Sequence, residues 1–119
     1  MPMTMSHERG NLYRAEIRGV LRKTEIDRCQ DELRLEIARV GSVKLLIALV
    51  AFEGWEPHAD WSDLAFYMKH GDAIERIAIV GDERWRAEAL MFAAADLRKG
   101  PVEFFPEAAA AEARAWLSA

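Results

Sequence analysis

From Leu12 to Arg18 the chain alternates, with Tyr13, Ala15 and Ile17 on one side and Arg14, Glu16 and Arg18 on the other. A period of two predicts a strand with one buried face. Ahead of it, residues 1–11 read either as a flexible end or, over Thr4–Glu8, as a short edge strand. Thr24 is a predicted N-cap, with Asp27 at capping-box spacing. Ile26, Cys29, Leu33, Ile37 and Val40 then recur at helical spacing, while Asp27, Arg28, Asp31, Glu32, Arg34 and Glu36 mostly take the other side. That pattern predicts an amphipathic surface helix, closed by Gly41.

Val43–Val50 is almost wholly apolar, as suits a strand covered on both faces. Pro57, Asp60 and Asp63 are helix-start signals, and the predicted helix runs to His70 with Gly71 as its stop. Arg76–Val80 reads as a second buried strand. Gly81-Asp82 turns the chain, Asp82 caps, and Trp85, Ala89, Phe92 and Ala93 form one stripe of a helix that Gly100-Pro101 breaks. Val102–Phe105 is a further strand, and Pro106-Glu107 opens a last helix with Ala109, Ala113, Trp116 and Leu117 on its apolar face. The order β-α-β-α-β-α-β-α predicts an α/β domain: a mainly parallel sheet of four or five strands with about four helices. Ligands of such sheets tend to sit beyond the carboxyl ends of the strands. Here that edge comprises residues 51–58, 81–84 and 106–108.

Composition narrows the function classes. A chain of 119 residues, half apolar and 30% charged, is long enough for one domain with a real core. Sixteen basic against twenty acidic side chains, net −4, argue against a phosphate-driven nucleic-acid binder. The single cysteine, Cys29, cannot close an internal disulfide, which points to a reducing compartment. The first eleven residues hold neither the apolar nor the basic region of a secretion signal. The longest apolar run, Leu45–Phe52, falls far short of the roughly 20 residues of a spanning helix. A cytoplasmic location follows, with the periphery of the inner membrane as the alternative.

Three stretches, LLIALVAFEGW, ADWSDLAFYMKHGDAIERIAIVGDERW and VEFFPEAAAAEARAWL, closely resemble the small bacterial SpoIIAA-like family over residues 12–118. Gly54-Trp55, Trp61, Lys69-His70, Trp85, Phe105 and Ala115-Trp116-Leu117 carry the likeness. The resemblance implies a single domain grouped with STAS domains and with CRAL-TRIO lipid-binding domains. It also implies binding of an apolar or amphipathic ligand and association with a membrane surface. Anti-anti-sigma proteins of related fold carry a phosphorylatable serine in a turn that opens a helix. The corresponding stretch here, Ala51-Phe52-Glu53-Gly54, has no hydroxyl, and Ser42 and Ser62 stand in the wrong context.

The richest candidate segment runs from Phe52 to His70. Trp61, Leu64 and Met68 share one helical face, Phe66 lies off it and Tyr67 at its margin. One reading makes that face core and Phe66 a scattered exposed aromatic. The other makes a helix over 55–70 a lid above a lipid-like ligand or on a bilayer surface, with Gly54 and Gly71 as hinges. The ligand-binding or lid candidates are then Phe52, Trp55, Trp61, Leu64, Phe66, Tyr67 and Met68, with His58, Lys69, His70 and Arg84 as polar or headgroup contacts. His58, Asp60 and Asp63 are better explained as helix-start residues than as metal ligands. Cys29 falls on a buried helix face and reads as inert core, and no nucleophile elbow is present. The sequence thus predicts a non-catalytic binding protein with no catalytic residue, cofactor or metal. The alternative is a STAS-type interaction module, with a homodimer or a regulatory protein as partner.

Overall fold

The computed structural model describes residues 3–61 and 65–119. β1 (Met3–Arg9) and β2 (Leu12–Leu21) form a hairpin around Gly10-Asn11. There follow α1 (Lys23–Val40), β3 (Val43–Trp55), α2 (Ala65–His70), β4 (Ile74–Gly81), α3 (Arg86–Phe92), β5 (Val102–Pro106) and α4 (Ala110–Ser118). The described strands make one sheet in the order β1-β2-β3-β4-β5, with β1 antiparallel to β2 and β2 to β5 parallel. The expected fold class is the one observed, and Thr4–Glu8 belongs to a real edge strand.

Because the strand order never reverses, right-handed crossovers carry α1, α2 and α3 to one face of the sheet. Cys29, Leu33 and Ile37 of α1, Phe66 of α2 and Ala89 of α3 pack there on Tyr13, Ile17, Leu45, Leu49, Ile77 and Ile79. The Tyr13 hydroxyl is satisfied within this core, donating to Glu36 Oε1 at 2.6 Å. The other face is covered only in part. There α4 lays Ala113 and Leu117 on Leu12, Leu46, Ala78 and Val80. Arg76 donates to the Trp116 carbonyl at 2.6 Å and stacks on the Trp116 ring, placing a cation at the helix C-terminus. Where α4 does not reach, β2 presents the polar half of its alternation. Glu16 accepts from Arg14 at 3.1 Å and from Arg18 at 2.6 Å.

Four local expectations are corrected. Thr24 does not cap α1. The helix begins at Lys23, and the carboxylate of Glu56, brought in by the end of β3, accepts the Lys23 N–H at 3.0 Å. A partner fixed by the sheet takes the place of the local cap. Secondly, β3 continues past Val50 to Trp55, so Ala51-Phe52-Glu53-Gly54 is bulged strand rather than a turn opening a helix. Ala51 and Gly54 take φ of 48° and 111°, and a Cβ at Gly54 would meet the Trp85 ring at 3.4 Å. Thirdly, the described part of the predicted 55–70 helix is Ala65–His70 alone, and Trp55 ends a strand. Fourthly, α3 stops at Phe92, well before Gly100, with Ala94 in the left-handed region at φ 56°.

Gly100 has a different role from helix breaking. A Cβ there would stand 2.4 Å from the Glu75 carbonyl oxygen and 2.9 Å from that of Ile74, both backbone atoms of β4. Gly100→Ala is therefore expected to cost about 2–3 kcal/mol, read as a lower midpoint of chemical unfolding at unchanged m-value.

The hairpin edge is tied to α4 by Glu8, which accepts from Arg114 at 2.8 Å. The Arg114 hydrogen bond holds the Glu8 carboxyl below its ordinary value, against an opposing push from burial. A carboxyl with a depressed folded-state pKa contributes its stability above the unfolded value and loses it as pH falls through the folded one. Glu8→Gln should lower stability by under about 1 kcal/mol at pH 7. The difference from the parent should close as urea titrations are taken below about pH 4.

Candidate functional site

Between the sheet and the three helices on its first face lies a partly open cavity of about 130 Å³. Its floor is Ala15 of β2, Leu45 and Ile47 of β3, and Ile74 and Ile77 of β4. These positions belong to the starts and middles of the parallel strands. The cavity therefore sits away from the carboxyl-end edge expected from the topology. Ile26, Cys29 and Leu33 wall it from α1, with Met3 and Met5 of β1 beside them. Phe92 at the end of α3 and Ala93 just beyond it close it on that side, and Lys23, Gln30 and Ala94, with Trp61, Phe66, Tyr67 and Arg98 at the rim, complete the lining.

Each rim group is held by a specific bond. Trp61 Nε1 donates to the Glu56 carbonyl at 2.8 Å, so the residue that caps α1 also fixes Trp61. The Tyr67 hydroxyl donates to the Leu97 carbonyl. Arg98 stacks on the Tyr67 ring at 5.0 Å and donates from Nε to the Ala93 carbonyl at 2.6 Å. Burial disfavours the charged form of Arg98 and pulls its pKa down, yet a guanidinium remains a cation at any ordinary pH. The Cys29 thiol is pushed up by burial, which outweighs the opposing charge of Arg28. It is a protonated, unreactive part of the wall.

The candidate aromatics separate into two groups. Trp61, Phe66 and Tyr67 line the cavity. Phe52 and Trp55 do not. Phe52 is buried, at 4% exposure, and meets Trp55 and Trp85 edge-on at 5.0 Å each. Trp55 continues to Phe92 at 5.6 Å, and Phe92 to Trp61 at 5.8 Å. Phe52 and Trp55 thus form a ring stack behind the cavity wall. The helical face expected of this segment is inverted. Met68 is 81% exposed, while Phe66 turns inward against the core and His70. Trp61 lies in a turn, outside the described helix Ala65–His70. Leu64 lies outside the described residues.

The polar candidates scatter. His58 is exposed with φ 66°, and Lys69 is exposed on α2. Arg84 stacks on Trp85 at 5.0 Å, at the far end of the ring stack. His70 packs on Phe66, and its Nε2 is buried with no partner among the described residues. Among the described residues no three His, Cys, Asp or Glu side chains are placed to hold a metal ion. Nor is any described helix long and apolar enough to cross a membrane. Arg98, Phe92 and the β1 methionines went unnoticed as rim and wall. Only Phe92 carried a sequence signal, its place on the α3 stripe, and that signal spoke for packing.

The SpoIIAA-like family model matches residues 12–118, all of the sheet beyond β1 and all four helices. The chain belongs to the SpoIIAA-like family. The fold is shared with an uncharacterized protein from Shewanella loihica PV-4, whose crystal structure has a SpoIIAA-like fold. The two are 24% identical, with a TM-score of 0.76 over 97% of this chain and 93% of that one. No curated protein matches the chain.

In this SpoIIAA-like domain Gly71 sets the position of the rim. A Cβ there would stand 2.7 Å from Cδ1 of the Tyr67 ring, closer than packed atoms allow. Gly71→Ala should therefore push Tyr67 off its seat and cost about 1–2 kcal/mol. In a Tyr67→Ala background the same change should cost little, a coupling that a double-mutant cycle in urea measures.

Proposed function

We propose that this SpoIIAA-like domain is a non-catalytic binding module that takes a small apolar or amphipathic molecule into the cavity beneath α1, α2 and α3. The observation that carries the reading is the cavity itself: about 130 Å³, with an apolar floor and a rim of Trp61, Phe66 and Tyr67. A close-packed interior has few voids larger than a water molecule. Engineered apolar cavities of roughly 150 Å³ stay dry and admit benzene. An apolar chamber with a few polar groups at its margin is the usual form of a small-molecule site. The CRAL-TRIO kinship implied by the sequence resemblance agrees with an apolar ligand.

In this reading Trp61, Phe66, Tyr67 and Phe92 make the contacts, and Phe52 and Trp55 support Phe92 from behind. Trp61, Phe66 and Tyr67 form the part of the cover that the described residues supply. The SpoIIAA-like fold supports equally a STAS-like regulatory or interaction role, in which occupancy of the cavity would be what a protein partner senses.

Comparison of native and denatured masses tests the proposal. The gently purified protein should carry a non-covalent mass excess that vanishes on denaturation. Ala15→Leu, which grows a side chain from the sheet into the cavity floor, should abolish that excess while leaving a folded protein. A native mass equal to the bare chain, with no uptake of added six-carbon apolar probes, would overturn the cavity reading. An integer multiple of the chain without excess mass would favour the interaction module.

A further inference from the structure

We propose that the molecule taken into the cavity carries an acidic head, a carboxylate on an apolar body, and that Arg98 receives it. This inference rests on the cavity reading above and names the ligand class. Arg98 is part of the cavity rim. Its Nε is used by the Ala93 carbonyl and one face of its guanidinium by the Tyr67 ring, so the group is fixed in place rather than free to swing into solvent. Its Nη1 is buried and has no hydrogen-bond partner among the described residues. No carboxylate among the described residues forms an ion pair with it.

A buried guanidinium N–H is expensive to leave unanswered, and most buried donors in proteins are paired. A carboxylate accepts charge-assisted hydrogen bonds from such a group more strongly than a neutral acceptor does. The remaining lining fits the other end of such a molecule. Ala15, Ile47, Ile77 and Phe92 offer no polar side-chain atom. Lys23, the other cation at the margin, holds its ammonium against Asp27 at 2.5 Å. Gln30 adds only a neutral amide to the lining, and the cavity is apolar at the floor and cationic at Arg98, the polarity of a small fatty or aromatic acid. The same arrangement disfavours an amine.

The full chain titrated with hexanoate, hexan-1-ol and hexylamine, followed through the Trp61 indole resonance, separates the head from the body. Hexanoate should bind at least about tenfold more tightly than the alcohol. The amine should bind weakest. In Arg98→Gln, checked for folding by its urea midpoint, acid and alcohol should come within about twofold of each other. Equal affinity of acid and alcohol in the parent would overturn the acidic head and leave the cavity reading standing. An acid preference that survives in the folded variant would overturn the role of Arg98. No binding of any of the three would remove the cavity reading and this inference with it. If Arg98→Gln does not fold, the three head groups compared on the parent chain decide the ligand class without it.

Discussion

The handedness of the crossover connections is the constraint from which the rest of this molecule follows. Four parallel strands laid down in sequence order oblige every crossover to pass on the same side of the sheet. All three connecting helices crowd one face, and the opposite face receives only what the chain's end can supply. The three helices are unequal, with eighteen residues in α1, six described in α2 and seven in α3. A sheet face of this breadth needs a continuous helical layer to be sealed. A hollow remains beneath the described helices, walled by residues of α1, α2 and the end of α3.

That hollow has an energetic meaning. A closed apolar void costs roughly 24 cal/mol per Å³, so about 3 kcal/mol is the upper bound for this partly open hollow of about 130 Å³. A single larger side chain at Ala15 or Ala93 would occupy part of it, and both positions are alanine. Around the gap the chain invests in rigidity instead. The ring stack Phe52–Trp85–Trp55–Phe92–Trp61 runs without a break from the end of β3 to the rim. Glu56 ties the start of α1 to Trp61. A collapsed core would have released this volume, and stacked aromatics with fixed hydrogen bonds resist that collapse.

The sequence made the alternation legible because period two and period 3.6 are local properties. Tyr13, Ala15 and Ile17 against Arg14, Glu16 and Arg18 announced a strand with one buried face, and β2 is such a strand. The Cys29–Leu33–Ile37 stripe announced the inner face of α1. The lid segment misled for an equally physical reason. Helical spacing from Trp61 to Met68 assumes a helix that includes Trp61, whereas Trp61 is placed by its bond to the Glu56 carbonyl. Once the helix is taken from Ala65, Phe66 and His70 share its inner face and Met68 faces water. Arg98 could not have been singled out, because its meaning depends on what is missing around it in space. The capping of α1 by Glu56, thirty-three residues away, is long-range in the same sense.

The carboxyl-end edge of the sheet, where this topology ordinarily places ligands, is built against anions. The hollow there is lined by Glu53, Asp82 and Glu107 against the single cation Arg84, which stacks on Trp85. Three carboxylates around one depression repel a phosphate by ordinary Coulomb forces. The bulge at Ala51–Gly54 also replaces the turn that would open a helix toward it. One layer inward, strand and helix surfaces leave the apolar cavity between them. In a fold whose helices must share one face, how closely those helices pack on the strands decides whether that layer is core or chamber.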